Sequence, residues 1–301
     1  MNGSFRKSHP ILMATVIVLS ASVFLTGCGT GVNASTTGSQ QPSAASKTVT
    51  IGYVNWAEDV ANTFLWKDLL DKRGYHVKVK ALDAGPMFEG LAQGNLDVYL
   101  DAWLPYTQAN YMKRYGSKLQ NLGQWYEGPA KIGLVVPQYV TINSISQINQ
   151  HVSQFDHRIV GIDPGAGEMG ITKKVIKRYG LHIKLDSGSQ ASMLTALGRA
   201  IYKHQWIVVT GWSPHWMFAK WKLKFLKDPK GVFGPNEQLY TEANLVWAKN
   251  NPTLVHWFNQ FKLTPQQLGT LEEDINAASS PSAGAATWIH DNQSVVQAWF
   301  K

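Results

Sequence analysis

Residues 48–82 read TVTIGYVNWAEDVANTFLWKDLLDKRGYHVKVKAL, and this stretch decides the fold class. Thr48 to Val54 is β-branched and apolar, as in a strand. Ala57 to Arg73 then carries Phe64, Leu65, Leu69 and Leu70 at helical spacing, which predicts an amphipathic helix. Gly74 closes it as a glycine just past a helix end does. Tyr75 to Leu82 alternates polar and apolar, the period of a strand. Strand, helix and strand in succession imply parallel strands with a helix across one face.

The pattern continues outward. Gly85-Pro86 opens a short helix that ends near Gly94, and Asn95 to Ala102 is a strand. A second run begins with strands at Ile132 to Pro137 and Arg158 to Asp163. A basic helix follows from Met169 to Tyr179, a helix from Ser189 to Lys203, and a buried-type strand from Trp206 to Thr210. Pro252 to Phe261, Pro265 to Ala278 and Ala283 to Phe300 read as three helices with no strand between them. The expectation is α/β: two lobes with mostly parallel sheets, a cleft between them and a helical C-terminal tail. The boundaries fall at 48–131 plus 242–301 for the first lobe and 132–241 for the second.

Upstream of Thr48 the text changes. Arg6 and Lys7 precede an uncharged, mostly apolar run from Ile11 to Thr26. It is shorter than the ~20 residues of a spanning helix. A basic start, an apolar centre and small residues at the end mark a secretory signal peptide over residues 1–27. The run closes on Leu25-Thr26-Gly27-Cys28, which resembles a bacterial lipobox with Cys28 as the lipidated first mature residue. Residues 28–47 are small and polar, a flexible tether. The expected location is the cell membrane, lipid-anchored on its extracytoplasmic face.

Composition narrows the function. The 301 residues are 44% hydrophobic, enough for a sizeable core. One Cys excludes an internal disulfide and any multi-cysteine metal site. The net charge of +8 falls by two, to +6, when residues 1–27 are removed. The basic residues are dispersed apart from Lys173, Lys174, Lys177 and Arg178, so no nucleic-acid partner is expected. The chain lacks a HExxH pair and a G-x-S-x-G elbow, so it is not read as an enzyme. No metal or cofactor is expected.

Gly165-Ala-Gly167-Glu-Met-Gly170 matches the dinucleotide fingerprint, with Asp186 near the place of a ribose-binding acid. Pro164 interrupts its strand-to-loop step, and an exported protein meets little soluble dinucleotide. Two readings remain: a helix N-terminus presenting backbone N–H groups to an anion such as a carboxylate, or a plain tight turn.

Twelve tryptophans are unusual for this length. Trp56, Trp103 and Trp212 each come just after the C-terminal end of an expected strand, the edge where open α/β sheets bind ligands. Either each packs in its own core, or a cleft brings three indole faces together. The second arrangement suits a quaternary ammonium, which needs no hydrogen-bond acceptor; each ring face contributes ~0.5–1 kcal/mol, or ~2 when desolvated.

The blocks Tyr53-Val-Asn-Trp56, Ala84-Gly-Pro-Met87, Asp101-Ala-Trp-Leu-Pro105, Gly133-Leu-Val-Val-Pro-Gln-Tyr139, Gly161-Ile-Asp-Pro-Gly165, Gly211-Trp-Ser-Pro-His-Trp-Met-Phe218 and Asp228-Pro-Lys230 together resemble the glycine betaine/proline betaine-binding proteins of ABC importers. The resemblance runs from Thr48 to near the C-terminus. It implies a type II periplasmic-binding-protein fold with a hinged cleft, and a permease/ATPase complex as partner. It implies that Trp56, Trp103 and Trp212 box the cation, while the backbone N–H groups of Gly167 and Glu168 hold the ligand carboxylate. Family members often carry a His where this chain has Gln108, whose amide is expected to donate to that carboxylate. Related choline binders place an acid near the position of Glu58. Glu58 is therefore a possible ligand residue, or simply a first-turn acid favoured by the helix dipole. Choline, carnitine or another quaternary amine is the alternative ligand.

Overall fold

The computed structural model describes residues 47–301. The expected signal peptide, Cys28 and all but the last residue of the tether lie outside the described residues.

The chain builds most of one lobe, all of a second, and then returns. The first pass runs β1 (Thr48–Tyr53), α1 (Ala57–Asp71), β2 (His76–Ala81), α2 (Ala84–Gln93), β3 (Val98–Leu104), α3 (Ala109–Tyr115) and β4 (Leu119–Gln124). The second lobe follows with β5 (Lys131–Pro137), β6 (Arg158–Val160), α4 (Gly167–Tyr179), β7 (Lys184–Asp186), α5 (Gln190–Tyr202), β8 (Val209–Ser213), α6 (Met217–Lys220) and β9 (Leu223–Phe225). The return is β10 (Gln238–Asn244), α7 (Leu245–Asn250), α8 (Pro252–Gln260), α9 (Pro265–Ala277), α10 (Pro281–Asp291) and α11 (Gln293–Ala298).

Two five-stranded sheets result, in the orders β2-β1-β3-β10-β4 and β7-β6-β8-β5-β9. The α/β class and two-lobed architecture match the expectation. The sheets, however, are evenly mixed rather than mostly parallel. β1 runs parallel to β2 and β3, whereas β10 runs against β3 and β4. β6 runs parallel to β7 and β8, whereas β5 runs against β8 and β9. The reason is connectivity: β5 and β10 enter from the other lobe, not through a right-handed βαβ crossover, so each meets its neighbour head to tail.

The same swap corrects the boundary drawn at 241/242. β10 already pairs Gln238 with Leu104 and Leu239 with Trp103, so residues 238–241 belong to the first sheet. Lys131 pairs with Ser213 in the second. The backbone ladder sets this boundary, and hydropathy does not report it.

Gly74 and Gly180 end α1 and α4 with φ +81° and +61°, conformations that cost glycine little. The tail departs from the expected three helices. α7 is additional, and the run 283–300 breaks at Asn292, whose side-chain amide donates to the Trp288 carbonyl (2.9 Å). The tail closes an aromatic core over α1. Trp66 is fully buried, with Phe258 at 4.2 Å and Phe261 at 5.5 Å between centroids. Asn244 joins this tail to the sheet: its Oδ1 accepts from the N–H groups of Val246 and Trp247, and its amide donates to Leu91 O. Asn244→Ala is expected to cost about 1–2 kcal/mol, a lost N-cap plus an unsatisfied carbonyl, read as a lower urea midpoint.

Candidate functional site

The site is built where strand ends of the two lobes face each other. β1 stops at Tyr53, and the Val54 N–H donates to Asp59 Oδ2 (2.7 Å), which turns the chain into α1. Trp56, with extended φ and ψ, sits at the N-cap of α1, and Glu58 lies in its first turn. Trp103 and Trp212 lie within β3 and β8, not beyond them as expected from sequence. They are equivalent positions: each strand is third in its sheet, and each Trp is followed two residues on by a cis proline, Pro105 or Pro214.

All three tryptophans line one narrow cleft, together with Glu58, Gly167 and Glu168. Each is at least nine-tenths buried. The alternative of three separate cores does not describe this arrangement. The indole N–H groups are spent on acids rather than left facing the cavity. Trp56 Nε1 donates to Asp163 Oδ2 (3.3 Å), Trp103 Nε1 to Asp101 Oδ1 (3.0 Å) and Trp212 Nε1 to Glu58 Oε2 (2.9 Å).

Two of those bonds cross between the lobes. So do Ala57 N–H to Gln190 Oε1 (3.0 Å) and Tyr111 Oη–H to Gly165 O (2.7 Å). The lobes are closed on each other, and Gly167 shows how tightly. A Cβ at this position would lie 1.9 Å from the Thr107 carbonyl oxygen. The glycine is thus explained by close approach of the other lobe. Gly170 has nothing within 4 Å of such a Cβ, and Asp186 faces Arg158 at 3.6 Å. A dinucleotide fingerprint would need that glycine and that acid for its own ligand.

α4 begins at Gly167 without a side-chain cap, so its first N–H groups are available at the cleft. The Glu168 side chain is committed beneath them. It is 3% exposed, and its Oε1 accepts from Gly211 N–H (2.9 Å). Burial pushes its carboxyl up to about 8; Gly211 and Gly133 N–H groups offset part of that, and the charge of Glu58 adds to it. Burial likewise pushes Glu58 up to about 7, against bonds from its own backbone, Trp212 and Trp103. Asp59 and Asp101, buried beside it, are also raised, by burial first.

Gln108 borders the cleft but differs from the expected ligand donor. Its Oε1 accepts from Trp103 N–H (3.0 Å), and its amide donates to Tyr99 Oη and Asp101 O, both at 3.3 Å. Both amide hydrogens are used in bracing the end of β3. Its side chain positions Trp103.

Sequence reading missed Glu237. It is buried where the chain returns to the first lobe, and its Oε1 accepts from Tyr106 N–H (2.7 Å) and Thr107 N–H (2.8 Å). Thr107 Oγ1–H donates to Oε2. A lone acid after Pro235 carries no local signal for a contact some 130 positions away. Glu237→Ala strands two backbone donors and is expected to cost about 2–3 kcal/mol in urea unfolding. His215, the histidine nearest the tryptophans, stands edge-on to Trp212 (4.8 Å). Burial lowers it to about 3, and its Nδ1 accepts from Met217 N–H, so it is neutral and structural. Among the described residues no His, Cys, Asp and Glu are grouped to hold a metal ion.

Two mixed-sheet lobes closing on a small cleft at their strand ends define a solute-binding protein of the periplasmic-binding-protein type. The chain belongs to the family of substrate-binding domains of ABC-type glycine betaine transport systems, whose model matches residues 47–291. It is 36% identical over 149 residues to the glycine betaine/carnitine transport binding protein GbuC of Listeria monocytogenes, a match covering 48% of this chain and 50% of that protein. The chain thus spans about half the length of that relative in the alignment. Lactococcal OpuAC, closed and complexed with glycine betaine, superposes with a TM-score of 0.80 at 37% identity, covering 84% of this chain and 99% of that one. The glycine betaine, L-proline transporter binding protein ProX of Borrelia burgdorferi also gives 0.80, at 30% identity, covering 84% and 96%.

Proposed function

We propose that this chain is the extracytoplasmic substrate-binding lipoprotein of an ABC importer, and that it captures a quaternary-ammonium osmolyte of the glycine betaine and proline betaine kind. The observation that carries the reading is the convergence of Trp56, Trp103 and Trp212 on one cleft that, among the described residues, no Lys, Arg or His lines. Ring faces attract a methylated cation and leave no donor unpaired. The free N–H groups of Gly167 and Glu168 at the start of α4 suit a carboxylate, with the helix dipole adding to the attraction. Closure of the lobes buries the ligand, and the closed form is what the permease would engage.

Cys28, which closes the lipobox-like run Leu25-Thr26-Gly27-Cys28, would anchor the protein through lipid. Loss of lipid labelling in Cys28→Ser checks the anchor.

A second reading within the same site is a choline-like cation. The observation favouring it is the Glu58 carboxyl bonded to Trp212 inside the box, with Gln108 unavailable to the ligand. Calorimetric titration with glycine betaine, proline betaine, carnitine and choline tests both readings. Micromolar or tighter binding of at least one supports the quaternary-ammonium site; no heat from any of the four refutes it.

A further inference from the structure

Glu58 and Glu168 occupy matching places in the two lobes. Each is the second residue of a helix that starts at the cleft, α1 in the first lobe and α4 in the second. Each is almost fully buried and lines the same cavity. Their carboxyls converge on consecutive residues of β8: Glu168 accepts from the Gly211 backbone N–H, and Glu58 accepts from the Trp212 indole. Closure therefore brings two acids from opposite lobes to one strand end.

Among the described residues no Lys or Arg lines the cavity they share. On the first-lobe side Glu58 faces Asp59, Asp101 and Tyr99, and Glu272 from α9 adds to the negative field. On the second-lobe side stand Glu168, Asp163 beneath Trp56, and neutral His215 beside Trp212. Glu237 supports Thr107 at the rim. The ligand is the cation that this cleft is built to receive.

We propose that the Glu58–Glu168 pair sets ligand choice by its protonation: neutral, the pair admits a zwitterionic betaine; charged, it favours a quaternary ammonium that carries no carboxylate. This rests on the quaternary-ammonium reading of the cleft. The physical reason is charge matching in a medium that screens poorly. A betaine brings its own carboxylate to the start of α4, next to Glu168. With Glu168 charged the two carboxylates repel; with it protonated, that repulsion is removed. A choline-like cation offers no such anion and neutralises the charged pair directly. Burial holds Glu58 at about 7 and Glu168 at about 8, so the change of preference falls across neutral pH.

The sign follows. Below the window both acids hold protons, and betaine binds better. Rising pH removes the protons, and choline gains. Choline binding near neutrality therefore releases a proton, because the cation favours the charged carboxylate.

The test is calorimetric titration of the full mature protein with glycine betaine and with choline chloride at pH 5.5, 7.0 and 8.5. Two buffers of different ionisation enthalpy count the protons. The ratio of choline to betaine affinity is expected to rise at least tenfold between pH 5.5 and 8.5, with proton release on choline binding at pH 7.0. Glu168→Gln, which keeps an acceptor for Gly211 N–H, and Glu58→Gln are each expected to flatten that slope while thermal unfolding remains cooperative. A ratio constant within twofold in the unmodified protein overturns the proposal, and so does an unchanged slope in both variants. Failure of both ligands to bind at every pH overturns the quaternary-ammonium reading itself, a distinct result.

Discussion

Trp212→Ala is expected to weaken binding of the quaternary-ammonium ligand about a hundredfold. The indole is buried in the cleft wall, and its backbone pairs with Ile132 across β5 and β8. Removing it takes away one desolvated cation–π face, worth ~2 kcal/mol. It also removes the N–H that donates to Glu58 Oε2 and leaves that buried carboxyl short of a partner, at a further ~1 kcal/mol or more. Together these amount to about 3 kcal/mol, or two decades of affinity. Trp212→Phe restores a ring face but not the donor, so it should recover about one decade. The indole is buried in the empty protein too, so Trp212→Ala should also lower thermal stability, and affinities are compared on protein that still unfolds cooperatively. Calorimetry on the three proteins checks the order; a loss below fivefold in Trp212→Ala would remove Trp212 from the box.

Gly167→Ala should be as damaging, for a steric reason. Its Cβ would lie 1.9 Å from the Thr107 carbonyl oxygen, far inside any real contact. Glu237 pins Thr107 through its N–H and its hydroxyl, so the loop cannot easily retreat. The gap between the lobes must open instead. That would break the bonds Trp56–Asp163, Tyr111–Gly165 and Ala57–Gln190. We expect at least hundredfold weaker binding, and a radius of gyration that no longer shrinks when ligand is added. The residue lies at the start of α4, where alanine is otherwise welcome, so each lobe should remain folded. Wild-type affinity together with a compact liganded form would show that the contact at Thr107 is not part of closure.

The buried acids add a stability prediction for the empty protein. Folding raises the carboxyls of Glu58 and Glu168 to about 7 and about 8, above their ordinary value near 4.5. The folded form therefore binds protons more tightly than the unfolded chain. Their contribution favours folding at low pH and is lost as pH rises from about 4.5 through about 8. The unliganded melting temperature is expected to fall by at least about 5 °C between pH 5 and pH 8.5, and saturating choline should reduce that fall whereas saturating glycine betaine should not. Differential scanning calorimetry with and without ligand reads both effects.

Local physics made much of this legible from sequence. Residues 48–82 carry period two, then helical spacing, then period two again. β1, α1 and β2 appear where those periods place them, with Gly74 at the turn. Trp56 and Glu58 are tied to that first strand end by a few residues of chain, so their place at the cleft edge follows from it. The strands carrying Trp103 and Trp212 were recognisable as strands. Their ends were misplaced because buried strand residues such as Trp212 look the same to a hydropathy pattern as the loop residues after them.

Other features depended on partners that no local pattern names. A strand's periodicity says which residues face inward, not which strand it will pair with or in which direction. The antiparallel insertion of β5 and β10, and the membership of residues 238–241 in the first sheet, are set by ladders to distant residues. Side-chain commitment is decided the same way. Gln108 resembles a ligand donor until Tyr99, Asp101 and Trp103 take up its amide. Glu237 carries no signal until Tyr106 and Thr107 reach it.

The sequence by itself determined the α/β lobes, the position of the cleft at strand ends and the aromatic residues at its edge. Each of these arises from interactions within a short span of chain. Only the tertiary structure decided that three indoles share one cavity, that Gly167 answers to Thr107, and that Glu58 and Glu168 meet on β8. Those outcomes depend on distances between residues 43 to more than 150 positions apart. Such distances exist only once the two lobes have closed.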